Sequence, residues 1–207
     1  MNTNVLLTGG SSGVGAANVE LLRLHGYTVV APTSNEFNLF DVESVDQYDY
    51  SPYDIIINCA ARNKGTYRGL HENSWQNQSE QVTVNYVAPL LMAKQYTKQR
   101  KSGQFVYVTS DSIDSPGAYN IFMASSKGAL RFSLDVLKRQ YKDFVFSEVC
   151  PGKIKTNMLK QNFEGTKTDD EIEEMYNSGP ALTPDEVAQA ILHAISHKLD
   201  KLVILPH

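Results

Sequence analysis

Cysteine is scarce: Cys59 and Cys150 are the only two in 207 residues, too few for a disulfide framework. Each sits at the end of an apolar run, so both are expected to be buried free thiols in a reducing compartment. Long apolar runs are missing too, none approaching the roughly 18 residues that a membrane helix needs. "MNTN" leads into "VLLTGG" with no basic leader, signal core or cleavage-type site. A soluble cytoplasmic protein without a membrane partner is the expectation. A basic excess is absent as well: 19 Lys and Arg stand against 23 Asp and Glu, the formal charge is −4, and the cations are scattered. That excludes the electrostatic footprint of a nucleic-acid binder. Repeats, low-complexity tracts and linkers are lacking, and the length favours one domain over residues 1–207. No metal site is expected either. His193 and His197 lie four apart on a helix candidate, but no carboxylate or thiolate motif accompanies them.

What is present alternates. Short apolar runs, "NVLLT", "TVVAP", "DIIINCA", "QFVYVTS", "FVFSEVCP" and "KLVILP", are separated by amphipathic stretches such as "AANVELLRLHG" and "TPDEVAQAILHAISHKL". Val- and Ile-rich strands without polar alternation are buried on both faces, which implies a parallel sheet with helices on each side. The expected fold class is therefore α/β, a doubly wound sandwich. The polar span "PTSNEFNLFDVESVDQYDYSPYD" is too short for a full strand–helix–strand unit, so one crossover is expected to be abbreviated there. The irregular stretch 160–182 is either a lid over a site or a solvated surface excursion.

Gly9, Gly13 and Gly15 follow the first strand and open the first helix. Glycine there lets the backbone turn tightly and approach a pyrophosphate, whose charge is stabilised by free N–H groups and the helix dipole. A glycine triplet alone is weak, and the strand before and helix after are what raise it. The spacing is G-x-x-x-G-x-G. With "NCAA" at 58–61, Asn85 in "VNYVAP", "VTS" ending at Ser110, Lys127, and "PGKIKT" from Pro151 to Thr156, the chain resembles the short-chain dehydrogenase/reductase family over most of its length. The stretch "SNEFNLFDVESV" also resembles, locally, the shortened region of the dTDP-4-dehydrorhamnose reductase branch.

The resemblance implies a Rossmann-type NAD(P)-binding domain. Its cofactor-binding residues would be Gly9, Ser11, Ser12, Gly13, Val14 and Gly15 at the pyrophosphate, Thr33 at the ribose, and Asp41 and Val42 at the adenine. Asn58, Ala60 and Ala61 would follow at a strand end, with Lys127, Pro151, Gly152, Ile154 and Thr156 around the nicotinamide half. An acidic residue at the end of the second strand would bind the NAD ribose and repel the NADP phosphate. The matching position is Thr33, so NADP(H) is favoured over NAD(H), although no cation stands there and Ser12 fills the place where NADP-preferring members carry a basic residue.

The family's catalytic set is broken. Asn85, Ser110 and Lys127 stand where the pattern wants an asparagine, a serine and a lysine, but Met123 occupies the tyrosine position, four before Lys127 and thirteen after Ser110. A thioether donates no proton. Tyr119 is the alternative donor, yet it lies eight residues from Lys127, about 12 Å along a helix axis. Each of the three retained residues also has a plain structural reading: a strand-end cap for Ser110, a pinned helix bulge for Asn85, a solvated helix lysine for Lys127. Their joint spacing favours function. The function expected is a carbonyl reductase of low or atypical activity using NADPH. A non-catalytic dinucleotide sensor or assembly protein is the rival, and an elimination or isomerisation in the same pocket is a third reading. The helices around Asn85 and after Lys127 match those through which the family associates, so a homodimer or homotetramer is expected by analogy. Substrate choice would lie in "DSIDSPGAYNIF" and 160–182.

Overall fold

The computed structural model describes residues 3–65 and 67–206, so residues 1, 2, 66 and 207 of the expected domain lie outside the described residues. Six parallel strands form one sheet: β1 (Asn4–Thr8), β2 (Thr28–Val30), β3 (Ile55–Asn58), β4 (Gly103–Val108), β5 (Phe144–Pro151) and β6 (Lys201–Ile204), in the order β2-β1-β3-β4-β5-β6. The helices are α1 (Gly13–Leu24), α2 (Val42–Gln47), α3 (Trp75–Val82), α4 (Ala88–Gln99), α5 (Ile121–Gln140), α6 (Asn157–Asn162), α7 (Asp169–Asn177) and α8 (Pro184–His197). All six apolar runs are strands, as their composition implies.

Alternation along the central strands, β1, β3, β4 and β5, feeds two cores. Leu6, Ile56, Phe105, Tyr107 and Phe146 point to the layer that contains Met92 of α4 and Leu130 and Leu134 of α5. Val5, Leu7, Ile55, Ile57, Val106 and Val108 point the other way, to Leu22 of α1 and Val187, Ile191 and Ala194 of α8. Burying both faces leaves no polar phase in the strands, which is why the runs read as continuous apolar segments.

The abbreviated crossover has a physical form. Residues 33–54 supply only the six-residue α2, and β2 has no outer neighbour. The segment is instead pinned by side chains to α4: Asp46 accepts from Lys94 and Gln95 at 2.8 and 2.9 Å, and Gln99 bonds the backbone of Tyr48 and Tyr50 at 3.0 and 2.6 Å. Phe37, Tyr48, Tyr50 and Tyr53 pack together beneath it. The strand order reverses between β1 and β3, so the carboxyl ends of those two strands flank the crevice where ligands of open α/β sheets lie.

Stretch 160–182 is not one loop. It contains α6 and α7, the latter started by a Thr168–Glu171 capping box with three acidic residues in its first turn. The α6 end lies against the loop after β3: Gly65 N–H donates to Gln161 O at 2.8 Å and Tyr67 N–H to Asn162 O at 3.1 Å.

Candidate active site

The glycine loop is a backbone cradle. Gly9 and Gly13 adopt φ of +78° and +52°, which L side chains rarely tolerate. A Cβ on Gly9 would stand 2.7 Å from Ala60 N, and one on Gly15 would meet Gly9 O at 2.0 Å. The turn thus holds β1, α1 and the end of β3 at backbone contact. Ser12 is the N-cap of α1 and makes no side-chain cap, and the first turn has no acidic residue, so the helix end is suited to an anion. Ser11 and Ser12 are exposed and Val14 packs partly against the α1–α8 core. Asn58 is fully buried, its amide donating to Thr8 Oγ1 at 2.9 Å, while its own carbonyl oxygen has no partner. Ala60 and Ala61 continue from it, partly buried.

The far wall comes from the end of β5. After Pro151 and Gly152 the chain pairs briefly with residue 182: Ile154 bridges Leu182, and Lys155 N–H donates to Leu182 O at 2.9 Å. This delivers Thr156, the N-cap of α6, to within 3.3 Å of a Cβ built on Gly13. Residues 143 apart in sequence therefore frame one cleft, whose glycine cradle and uncapped helix end fit a dinucleotide pyrophosphate. Asp41 caps α2, accepting from Ser44 N–H at 3.1 Å, and Val42 beside it is exposed.

At the Thr33 end the structure adds a residue that the spacing rule passed over. Thr33 N–H and Oγ–H both donate to Glu36 Oε2, at 2.8 and 2.9 Å. A carboxylate thus stands against Thr33, which the resemblance matches to the ribose, although position 33 itself carries none. Those hydrogen bonds hold the Glu36 pKa below its ordinary value. Its signal was readable, since a threonine followed three residues later by a glutamate is a capping pattern.

Of the positions that the resemblance assigns to catalysis, Asn85 and Met123 meet. Asn85 is fully buried in a π-helical turn, Thr83–Val87, which joins α3 to α4. Its carbonyl oxygen accepts Arg62 N–H at 2.8 Å, and its amide faces Arg62 O at 3.0 Å, Ser126 Oγ at 3.4 Å and Met123 Sδ at 3.5 Å. The bulge reading therefore holds, and such turns are frequent at functional sites. Lys127 is 1% exposed, with Nζ donating to Val108 O at 2.7 Å, so it is no solvated helix lysine. Burial lowers its pKa to about 8, opposed by the nearby Cys59 thiol. Burial in turn pushes the partly buried Cys59 up to about 12, which keeps it a neutral thiol.

Ser110 ends the β4 run and caps a short 3₁₀ turn, Asp111–Ile113. Its Oγ accepts Ser112 N–H at 3.2 Å and the Ser112 hydroxyl at 2.9 Å, and donates toward Asp111 Oδ1 at 3.4 Å. Tyr119 precedes α5 and packs against Tyr67 with the rings tilted by 60° and their centroids 5.0 Å apart, and Tyr67 packs on Phe163 at 4.7 Å. Its ring is committed to this aromatic cluster between loops. His193 and His197 sit on the outer face of α8 with ring centroids 4.1 Å apart, and His197 Nδ1 is 3.0 Å from His193 O. Among the described residues no group of three His, Cys, Asp or Glu is arranged to hold a metal ion, and no helix is long and apolar enough to cross a membrane.

Comparisons with known proteins agree with this layout. Residues 42–201 match the family described as Enoyl-(Acyl carrier protein) reductase. An uncharacterized oxidoreductase of Mycobacterium bovis is 25% identical over 94% of this chain, which spans only 64% of that relative's length. Among solved structures, a small-chain dehydrogenase in complex with NADPH is similar at TM-score 0.84 and 18% identity, over 99% of this chain and 96% of that one. A short chain dehydrogenase from Burkholderia cenocepacia in complex with NADP matches at TM-score 0.80 and 20% identity, over 98% and 89% of the two chains. The glycine cradle, the reversed strand order and the Asn85–Ser110–Lys127 constellation thus belong to a member of the short-chain dehydrogenase/reductase family.

Proposed function

We propose that the chain is a carbonyl reductase of low or atypical turnover, preferring NADPH to NADH. The observation that carries this reading is Lys127. A lysine at 1% exposure with one carbonyl partner is costly to the fold, and its place at the end of β4 beside Ser110 and Asn85 gives the cost a use. When bound, the reduced nicotinamide supplies a hydride. Gly9, Ser11, Ser12, Gly13, Val14 and Gly15 bind its pyrophosphate, while Thr33, Asp41 and Val42 face the adenosine half. Asn58, Ala60, Ala61, Pro151, Gly152, Ile154 and Thr156 line the rest, and Lys127 holds the ribose. Ser110 Oγ orients the substrate carbonyl, and Asn85 holds the backbone of Arg62 through two hydrogen bonds. The NADP(H) preference rests on position 33 and on the NADPH and NADP complexes of the similar structures, with Glu36 opposing it.

Met123 favours the second reading, a non-catalytic dinucleotide sensor. A positioned general acid contributes about 10²–10⁴ in rate, and the thioether gives none of it. Assembly as a homodimer or homotetramer is supported by α5, which exposes Phe132 and Val136 one turn apart. The deciding experiment follows NADPH absorbance with activated carbonyls for wild type and Met123→Tyr. Slow turnover in wild type and a rise of about 10²-fold in the variant support the reductase. Bound NADPH with no turnover in either protein leaves the sensor reading.

A further inference from the structure

Without a phenol, the proton added to a reduced carbonyl needs another source. Lys127 is turned to Val108 O, and Tyr119 is packed on Tyr67. Ser110 is differently placed. Its Oγ accepts two hydrogen bonds, both from Ser112, so its own proton is left to point at Asp111 Oδ1, 3.4 Å away, a long contact. The Asp111 carboxyl is partly buried, with Oδ2 3.3 Å from a Cβ built on Gly152. It therefore lies between the loop after β4 and the loop after β5, the two that flank the nicotinamide end of the cleft.

We propose that Asp111, acting through the Ser110 hydroxyl, holds the proton that a tyrosine would otherwise deliver; this rests on the reductase reading above. As the carbonyl carbon gains a hydride, a C–H bond forms and the C=O π pair moves onto oxygen. That oxygen takes the Ser110 Oγ proton, Oγ takes the carboxylic proton of Asp111, and the resulting carboxylate is reprotonated by water. In alcohol oxidation the same carboxylate receives the proton through the same hydroxyl. Asp111 is thus a positioning residue with a proton to pass, and Ser110 is the group that touches substrate.

Its surroundings suit the task. Burial raises the Asp111 pKa, and Asp114 on the same segment adds to the rise, while hydrogen bonds from Ser110 and Ser112 oppose it. The other charges on neighbouring elements are taken up elsewhere. Arg131 of α5 pairs with Asp114 at 2.8 Å and with Glu148 of β5 at 2.6 Å, and its guanidinium lies 3.2 Å from the Cys150 thiol. Lys201 of β6 pairs with Glu148 at 3.6 Å, and Lys127 is bonded to Val108 O. Among the described residues no cation pairs with Asp111 to hold it ionised.

The test has two arms. In the cofactor-free protein the Asp111 carboxyl is titrated by carbon NMR, with and without Ser110→Ala. Removing a donor to the carboxylate is expected to move the midpoint further up, and a midpoint that Ser110→Ala leaves in place overturns the coupling whatever the activity. In the second arm Asp111→Asn is expected to bind NADPH as wild type does while kcat falls about 10²-fold. Wild-type kcat should fall as pH rises through the Asp111 midpoint, a limb that Asp111→Asn lacks and Asp111→Glu partly restores. An Asp111→Asn protein that keeps both kcat and the limb overturns the proposal. Wild type that binds NADPH but reduces no carbonyl defeats the reductase reading and the catalytic role with it, whereas a coupling failure alone leaves the reductase reading standing.

Discussion

A lysine in the interior is the most expensive residue in this fold. Lys127 is held 1% exposed among β4 and α5, and burial lowers its pKa from 10.5 to about 8. Below about pH 8 both the folded and the unfolded chain carry the charge, so the full penalty is present. Between about 8 and 10.5 the folded chain loses its proton first and the penalty is relieved. Lys127→Met, which keeps the volume and removes the charge, is therefore expected to stabilise the protein by about 1–3 kcal/mol at pH 7. The gain should shrink by pH 9.5, and thermal melts at the two pH values check it. Glu36 makes the second residue-scale prediction. Its carboxylate sits on the Thr33 N–H and hydroxyl, where it would repel a ribose phosphate. Glu36→Gln should raise affinity for NADPH relative to NADH, most clearly at low salt, as read by fluorescence titration; an unchanged ratio would place the adenosine ribose elsewhere. No sequence rule read at position 33 alone could have found it, because the carboxylate folds back from three residues on.

Elements were legible where one force decided them. The four central strands, β1, β3, β4 and β5, are runs of apolar residues buried on both faces, and α8 announces itself through Thr183, Pro184 and Glu186, an N-cap, an N1 proline and a capping box. The 33–54 segment was legible only as too short, since what holds it is side-chain pairing with α4 and a tyrosine cluster, neither of which has a period. The same holds for 160–182, whose docking on Gly65 and Tyr67 depends on backbone bonds that have no period in the sequence. The glycine turn is the element on which the site depends most. Gly9→Ala would place a Cβ 2.7 Å from Ala60 N at a φ of +78°. It is expected to cost about 1–3 kcal/mol and to push β1 away from the end of β3. Loss of NADPH binding together with a lower Tm is the expected result. A lower Tm with unaltered binding would mean that the turn serves packing alone.

At the scale of the molecule, the strand reversal between β1 and β3 places three sequence-distant groups around one crevice: the cradle at 9–15, Asn58–Ala61, and Pro151–Thr156. The family spacing picked out these three segments because they follow strand ends, where chain position and spatial position agree. It could not name Asp111, which matters only through the rotamer of Ser110, nor Tyr67 and Phe163, which meet only after the loops fold. Dinucleotide binding is the property on which every other claim depends. The most direct test is titration of the purified protein with NADPH, following nicotinamide fluorescence and Tm together. A ligand at a hundred times its Kd stabilises by about 2.7 kcal/mol, which for a chain of this size is a rise of about 5–10 °C. Saturable fluorescence with that rise is the expected result. No saturable change and an unmoved Tm, with NADPH and with NADH, NADP⁺ and NAD⁺ in turn, would contradict it.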